Sequence, residues 1–385
     1  MDTQEQTNPD HKPPHGKKTL IILAAFLLVG CVVCFMLQHN SQQQQEARHN
    51  CYYPTPGQKT EVFNVVVVDM SASMLPIRSG MIDMLNNLLA SFRQVATEFA
   101  DSQTHLLTLS GVNTGVFNDL YFNTPILETD SITAEHFTPW NNTPLVDAIG
   151  LSIDWMKAYT DSVQDYAVSL TIITDGFENS SENYSIRQVG DMIRQLNDDP
   201  HWSISLLGTD NDVLQQAKRL HIPHSTNMLV DQLGYHGTAE NSAHILRSLC
   251  HNAQTRKKDI PTIPAGKHLT LEQLRQRKAN QIIVSCVEEL ERDLVENSSA
   301  YQAHIFVEDH KVVIALQAST RTIEKLRSAD EEQQALLATF LLRSPSTTCV
   351  QLLRALRVGQ YSYELRATDS ETGEILAITV PSNQL

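Results

Sequence analysis

Two runs of apolar, mostly β-branched residues constrain the fold most strongly, because each of them ends directly at an aspartate. The runs cover residues 61–68, followed by Asp69, and residues 168–174, followed by Asp175. Runs of this kind are typical of strands that are buried on both faces of a parallel sheet. Open α/β sheets bind their ligands at the carboxyl ends of the strands. Both aspartates are therefore expected at the same edge of one sheet.

Three hydroxyl side chains are expected at this edge as well. Two of them alternate with the first aspartate, so all three groups point the same way if the turn stays extended. The third opens a later helical pattern, in front of a proline. Two carboxylates and three hydroxyls suit Mg²⁺, Mn²⁺ or Ca²⁺ rather than zinc or copper. Each piece alone is also typical of a turn or a helix cap, so the prediction rests on their combination. The five predicted metal ligands are Asp69, Ser71, Ser73, Thr143 and Asp175.

These pieces resemble the three motifs of the von Willebrand factor A (vWA) domain family. The motifs read Asp-x-Ser-x-Ser after a valine-rich run, Thr-Pro-Leu-x-Asp-Ala-Ile, and Ile-Thr-Asp-Gly. The resemblance covers residues 60–252 and implies a doubly wound, Rossmann-like α/β domain with a mostly parallel sheet. It implies a metal-ion-dependent adhesion site in which Ser71, Ser73 and Thr143 ligate through their hydroxyls. Asp69 and Asp175 would bind directly or through water, and an acidic side chain of a protein partner would fill the open position.

The loops around this site are expected to select the partner. Trp140 and Asn142 precede Thr143, and Glu178 follows Asp175. We therefore interpret Trp140, Asn142 and Glu178 as candidate partner contacts. For Trp140, packing beneath its own loop is an equally good interpretation.

An uncharged segment near the amino terminus predicts a membrane anchor. As a helix, residues 20–37 would span about 27 Å, close to the thickness of the hydrocarbon layer. Three lysines precede the segment and the first basic residue after it is Arg48. The positive-inside rule then places the later domains outside the cell (inner) membrane, in the periplasm or the extracellular space. The alternative is a cleaved lipoprotein, because Leu28-Val29-Gly30-Cys31 resembles a bacterial lipoprotein processing box. The chain stays apolar for six residues after Cys31, which favours an uncleaved signal-anchor.

The predicted organisation has six parts. They are a cytoplasmic tail (1–18), a transmembrane helix (19–37), a glutamine-rich linker (38–50), the vWA domain (51–254), a second linker (255–267) and a C-terminal α+β domain (268–385). The C-terminal domain resembles no family that we recognise. Its pattern predicts helices over 269–294 and 320–343 and hairpins over 303–317 and 361–380, which together indicate an antiparallel sheet covered by helices.

Four cysteines lie beyond the predicted anchor, in a compartment that permits disulfides. Some extracellular vWA domains are clasped by a bond between their two ends, so the resemblance implies a Cys51–Cys250 disulfide. Cys286 and Cys349 would then pair within the second domain. Buried free thiols are the alternative, and four cysteines allow three connectivities.

Charge and motifs narrow the function. A net charge of -15 argues against nucleic-acid binding, which requires a basic surface. The chain has no nucleophile motif and no phosphate loop, so we expect no enzymatic activity. The sequence predicts a membrane-tethered protein that binds a protein partner through a divalent metal. The alternatives are a non-catalytic scaffold subunit of an envelope assembly and, third in order, a metal-dependent hydrolase.

Overall fold

The chain builds two β-sheets with helices packed on them. The computed structural model describes residues 57–114, 116–161, 163–176, 180–208, 211–227, 234–260, 270–297, 303–339, 342 and 346–385. The predicted tail, transmembrane helix and glutamine-rich linker lie outside these ranges, as do Cys31, Cys51 and Glu178. Within them, no helix is long and apolar enough to cross a membrane.

Over the described residues, the first sheet has six strands. They are β1 (Thr60–Asp69), β2 (Gln103–Asn113), β3 (Val116–Pro125), β4 (Tyr166–Thr174), β5 (Trp202–Gly208) and β6 (His224–Asn227). Their order is β3-β2-β1-β4-β5-β6. Neighbouring strands are parallel except for β3, which runs antiparallel to β2 at the edge. This is a doubly wound order, in which ligands bind at the carboxyl ends of the strands, so the predicted mostly parallel α/β sheet is confirmed.

Helices cover both faces of this sheet. They are α1 (Arg78–Glu98), α2 (Leu145–Thr160), α3 (Ile186–Asn197), α4 (Asn211–Arg219) and α5 (Gly234–Lys257). Alternate residues of β1 point to opposite faces. Val66 and Val68 join the core formed with α1 and α5, whereas Val65 and Val67 join the core formed with α2 and α3. Burial on both faces explains the continuous apolar run in the sequence.

The second sheet is mixed rather than antiparallel, which corrects the prediction. Its elements are α6 (Leu271–Asn297), β7 (Ala303–Glu308), β8 (Lys311–Ala318), α7 (Thr320–Ser328), α8 (Glu331–Thr339), α9 (Thr347–Gly359), β9 (Ser362–Asp369) and β10 (Ile375–Val380). Two antiparallel hairpins, β7–β8 and β9–β10, meet through a parallel pairing of β8 with β9. The connection from β8 to β9 contains α7, α8 and α9, and a crossover of this length permits parallel strands. The single helix predicted over 320–343 is divided, and α9 was not predicted.

The two sheets share one core. The buried cluster that contains Val65 and Val67 continues through Leu352 and Leu356 of α9 to Leu365 of β9. The described residues from 57 onward accordingly belong to one compact unit. The second sheet and its helices therefore pack against the first sheet through a common set of buried apolar side chains.

A buried ion pair crosses this shared core. The Arg354 guanidinium of α9 donates to both carboxylate oxygens of Asp119 in β3, at 3.0 Å each. Their side chains are 1% and 2% exposed. Ser110 donates to the same carboxylate at 2.6 Å, and the guanidinium also lies over the rings of Phe117 and Trp155. Together these contacts satisfy both buried charges, which is the condition for such a pair to be tolerated.

None of the described cysteines forms a disulfide. Cys250, Cys286 and Cys349 are all buried, and the structure does not contain the predicted Cys286–Cys349 disulfide. Burial raises the pKa of Cys286 to about 12 and also raises that of Cys349. Disulfide exchange needs a thiolate, which this dry environment disfavours. The other predicted bond involves Cys51, which lies outside the described residues.

Candidate functional site

The five predicted side chains lie together at the carboxyl edge of the first sheet. The Ser71 and Ser73 hydroxyl oxygens are 2.8 Å apart, and the Ser73 hydroxyl donates to Asp175 at 2.8 Å. The Thr143 hydroxyl donates to the carboxylate of Asp69, and the backbone N–H of Ser71 donates to the same carboxylate at 2.7 Å. One connected set of hydrogen bonds therefore includes all five residues, which we call the five-residue cluster.

Asp69 is the buried centre of the cluster. It is 1% exposed, and Thr174 at the end of β4 donates to its second carboxylate oxygen at 2.8 Å. Burial raises the pKa of Asp69, whereas hydrogen bonds from Ser71, Thr174 and Thr143 oppose that rise. The charged carboxylate would therefore gain from any positive charge placed beside it. Thr174 is a contributor that the sequence analysis missed, although it immediately precedes Asp175.

The turn after Asp69 differs from the extended form that the alternation assumed. A 3₁₀ helix, Ala72–Ile77, begins directly after Ser71. The Met74 N–H donates to the Ser71 carbonyl at 3.1 Å, and the Met74 side chain is fully buried beneath the turn. Ser71 is buried, whereas Ser73 is exposed. The cluster accordingly has a buried side at Ser71, which we call its floor, and a solvent-exposed side at Ser73, which we call its open side.

The loop before Thr143 is tied to this turn through its backbone. The Trp140 N–H donates to the Met70 carbonyl at 2.8 Å, and the Ala72 N–H donates to the Asn141 carbonyl at 2.8 Å. Asn141 has a φ of 62°, a left-handed conformation that asparagine tolerates better than most residues. These bonds fix the chain just before Thr143, which explains how a residue far along the sequence reaches the aspartate of β1.

Asp147 organises the loop that follows β4, a role that the sequence analysis did not assign. Its carboxylate accepts hydrogen bonds from the backbone N–H groups of Glu182 at 2.8 Å, Asn183 at 2.9 Å and Tyr184 at 2.7 Å. Its own N–H donates to the Ser181 hydroxyl at 2.9 Å. The sequence offered one signal for a special role of Asp147. It is an acidic residue in the first turn of α2, where a negative charge is favourable.

The predicted partner contacts are only partly described. Trp140 is 66% exposed, so its side chain does not pack beneath the loop, and Asn142 is exposed too. Glu178 lies outside the described ranges. Trp140 and Asn142 thus stand at the surface, on the loop whose backbone is bonded to the turn after Asp69.

The donor set consists entirely of oxygen atoms. Among the described residues, no group of three or more His, Cys, Asp or Glu side chains could hold a metal ion. The five-residue cluster is of another kind, because it combines two carboxylates with three hydroxyls. Such oxygens are the ligands that Mg²⁺, Mn²⁺ and Ca²⁺ accept.

Comparisons with known proteins give fold-level likeness only. No protein-family model and no curated protein matches the sequence. Similar solved structures include proximal thread matrix protein 1 from the mussel byssus, with 11% identity over 50% of this chain and 46% of that chain, at a TM-score of 0.31. They include the SpRpn10 VWA domain, with 10% identity over 48% of this chain and 96% of that chain, at 0.35. They also include the pilus adhesin SpaC from Lactobacillus rhamnosus GG, with 12% identity over 55% of this chain and 31% of that chain, at 0.31. The match thus spans less than half of the mussel protein and of the adhesin, and similarity at this level bears on no function.

Proposed function

We propose that this chain is a vWA-type protein that binds a divalent cation through the five-residue cluster. The cation is Mg²⁺, with Mn²⁺ and Ca²⁺ as alternatives, and it holds an acidic side chain of a protein partner. One observation carries the proposal: hydrogen bonds connect all five residues at the sheet edge where doubly wound folds bind ligands.

The residues of the cluster fit a hard cation. Ser71 and Thr143 are buried and would present their hydroxyl oxygens from the floor. Ser73 and Asp175 would do so from the open side. The raised pKa of Asp69 marks a carboxylate whose charge is poorly solvated, and a cation would offset that cost. When bound, the metal supplies a local positive charge to an otherwise acidic protein, and this charge attracts a carboxylate.

The amino-terminal segment would hold this site outside the cytoplasmic membrane, where a partner can reach it. In the proposal, residues 19–37 anchor the protein in the membrane and the later residues face away from the cytoplasm. The exposed Trp140 and Asn142 border the route by which a partner approaches. A second candidate function is a non-catalytic scaffold subunit of an envelope assembly. The ion pair between Arg354 and Asp119 favours it, because it links helix α9 of the C-terminal region to the edge strand β3 of the first sheet.

A capture experiment tests the proposal. The full-length protein, in mild detergent, would be incubated with envelope extract in Mg²⁺ or in EDTA, beside an Asp175→Asn variant whose folding is checked by circular dichroism. A protein captured only by the native chain in Mg²⁺ supports the metal-dependent site and identifies the partner. Equal capture under all three conditions would contradict the proposal and would point to the second sheet as the binding surface.

A further inference from the structure

Helix α6 exposes one long stripe of its surface. Its buried side, which includes Ile283 and Val287, belongs to the core that the two sheets share. Another side is exposed along most of the helix, with residues at the three- and four-residue spacing that places side chains on one face. We call these residues the α6 stripe: Gln273, Arg277, Gln281, Val284 and Glu288, all of them exposed.

A groove of about 720 Å³ runs along the α6 stripe. All five stripe residues line it, and every other described residue that lines it also belongs to α6. The Val284 side chain is 51% exposed and is the apolar member of the stripe. Because α6 has 27 residues, it is about 40 Å long, which gives a second helix a long surface to pack on.

The charged neighbours of the stripe on α6 are engaged with the first sheet and its helices. The Arg275 guanidinium pairs with Glu61 of β1, and both side chains are largely buried. The Lys278 ammonium donates to the Ala158 carbonyl of α2 at 3.2 Å. These contacts hold α6 in place, whereas Arg277, which lies between the two cations in sequence, lines the groove.

The charges of the stripe match a second copy of the same helix that runs in the opposite direction. In a two-fold contact, residue i of one chain faces residue j of the other, and j faces i in return. With the axis midway between residues 282 and 283, Arg277 faces Glu288 of the second copy and Gln281 faces Val284. Each of these contacts occurs twice, so one stripe supplies both halves of every pair.

A parallel arrangement of the two helices does not match. Equivalent residues face one another in a parallel pair, so Arg277 would face Arg277 and Glu288 would face Glu288. Like charges placed opposite each other at an interface are strongly unfavourable. The stripe is therefore complementary to itself in the antiparallel direction alone.

We propose that the α6 stripe is the interface of a homodimer in which the α6 helices of two chains pack antiparallel. Two Arg277–Glu288 ion pairs set the register, and the layers of Gln281 against Val284 form the centre. One largely polar helix from each chain gives an interface at the small end of specific protein contacts, so the dimer is a reversible one. The inference does not rest on the metal site.

Charge reversal tests the proposed register. The full-length protein in mild detergent would be labelled in two batches, with donor or acceptor fluorophores, and energy transfer between the mixed batches would be measured against protein concentration. Arg277→Glu and Glu288→Arg should each raise the dissociation constant of the dimer by at least about tenfold, because each puts like charges into both ion pairs.

The neighbouring carboxylate provides a matched control. Glu289 is also exposed, but its side chain is turned about 100° further around the helix than that of Glu288. Glu289→Arg makes the same change in net charge and should leave the dissociation constant close to that of the native chain. All measurements are made in EDTA, so that no metal-mediated contact between copies contributes.

Mixing the two single variants tests which residues face each other. An Arg277→Glu chain paired with a Glu288→Arg chain has opposite charges in both ion pairs, and so does a dimer of the double variant. We expect energy transfer to return in the mixture and in the double variant. High salt should weaken the native dimer, because it screens the ion pairs.

Three outcomes would overturn the inference, with the folding of every variant checked by circular dichroism. The first is a native chain that shows no energy transfer at any concentration. The second is energy transfer that both single reversals leave unchanged, which would place the contact on another surface. The third is a loss in both single variants without recovery in their mixture, which would show that Arg277 and Glu288 do not face each other.

Discussion

Single carboxylates fix the loops around the candidate site. Asp69 gathers hydroxyl and backbone donors from three segments, and Asp147 gathers the backbone of the loop after β4. The three motifs predicted part of the first role, because they placed Ser71 and Thr143 beside Asp69, but they missed Thr174, which is 105 positions away from Asp69. The second role depends on a loop about 35 residues away, which the local pattern does not reveal.

Replacement of Asp147 tests its role at the residue scale. Asp147→Ala should lower the free energy of unfolding by about 2–4 kcal/mol, because several N–H groups lose a charged acceptor. Urea denaturation measures this loss, and the Tyr184 amide should exchange with solvent faster. Asp191→Ala is the control, since its pair with Arg194 is mostly exposed and such pairs contribute at most about 1 kcal/mol. Equal free energies of unfolding for the two variants would contradict the role of Asp147 in organising the loop after β4.

A buried histidine makes stability depend on pH. Burial lowers the pKa of His105 to about 4 from its ordinary value of 6.5. The unfolded chain therefore binds a proton below pH 6.5 that the folded chain takes up only near pH 4. Stability should fall as the pH falls through this window, by on the order of 3 kcal/mol in total. Urea denaturation at a series of pH values should show this slope for the native chain and a flatter one for His105→Leu. Parallel curves would contradict the assignment.

At the scale of elements, local patterns predicted strands and helices better than the way in which they connect. The apolar runs located β1 and β4, since burial on both faces leaves a continuous signature. The 3₁₀ helix after Ser71 and the parallel pairing of β8 with β9 were missed. Both depend on how distant segments pack. Helix α9 had a usable signal, because Ser346 caps it by accepting from the Cys349 N–H at 3.2 Å.

Gly150 tests how α2 packs on the loop after β4. An added Cβ at this position would lie 2.6 Å from the Tyr184 ring, and the Tyr184 hydroxyl donates to Asp154 at 2.8 Å. Alanine favours the helix by about 1 kcal/mol, but overpacking costs about 1–3 kcal/mol. We expect Gly150→Ala to lower the free energy of unfolding in the native background. The same change should raise it in a Tyr184→Ala background, where the clash is gone. A change of the same sign in both backgrounds would show that the ring does not restrict this position.

At the scale of the whole molecule, the ion pair between Arg354 and Asp119 joins the two sheets. The partners are 235 positions apart and lie on an edge strand and on a helix that was not predicted. No local pattern could have paired them. Burial alone would raise the pKa of Asp119, but the Arg354 and Arg357 guanidinium groups lower it on balance. The contribution of Asp119 to stability is therefore present above its unfolded pKa of about 3.8 and is lost as the pH falls through its lower folded pKa.

Removal of one partner of the Arg354–Asp119 pair should lower the free energy of unfolding far more than removal of both partners. Arg354→Met leaves the Asp119 charge buried and should lower the free energy of unfolding by about 3–5 kcal/mol. The double variant Arg354→Met/Asp119→Leu should recover much of that loss. Urea denaturation of the three chains checks this. If the losses of the single variants simply add in the double variant, the two residues are not coupled and this ion pair does not hold the two sheets together.

Titration of Mg²⁺ into the full-length protein by calorimetry tests the central claim most directly. The native chain is compared with the double variant Ser73→Ala/Asp175→Asn, which removes the two proposed ligands on the open side and leaves the buried floor intact. An Asp101→Asn variant, altered at an exposed carboxylate next to the opposite edge of the sheet, is the control. The account predicts saturable binding at a single site for the native chain and the control, and none for the double variant. Equal binding by all three chains, or binding by none, would contradict it.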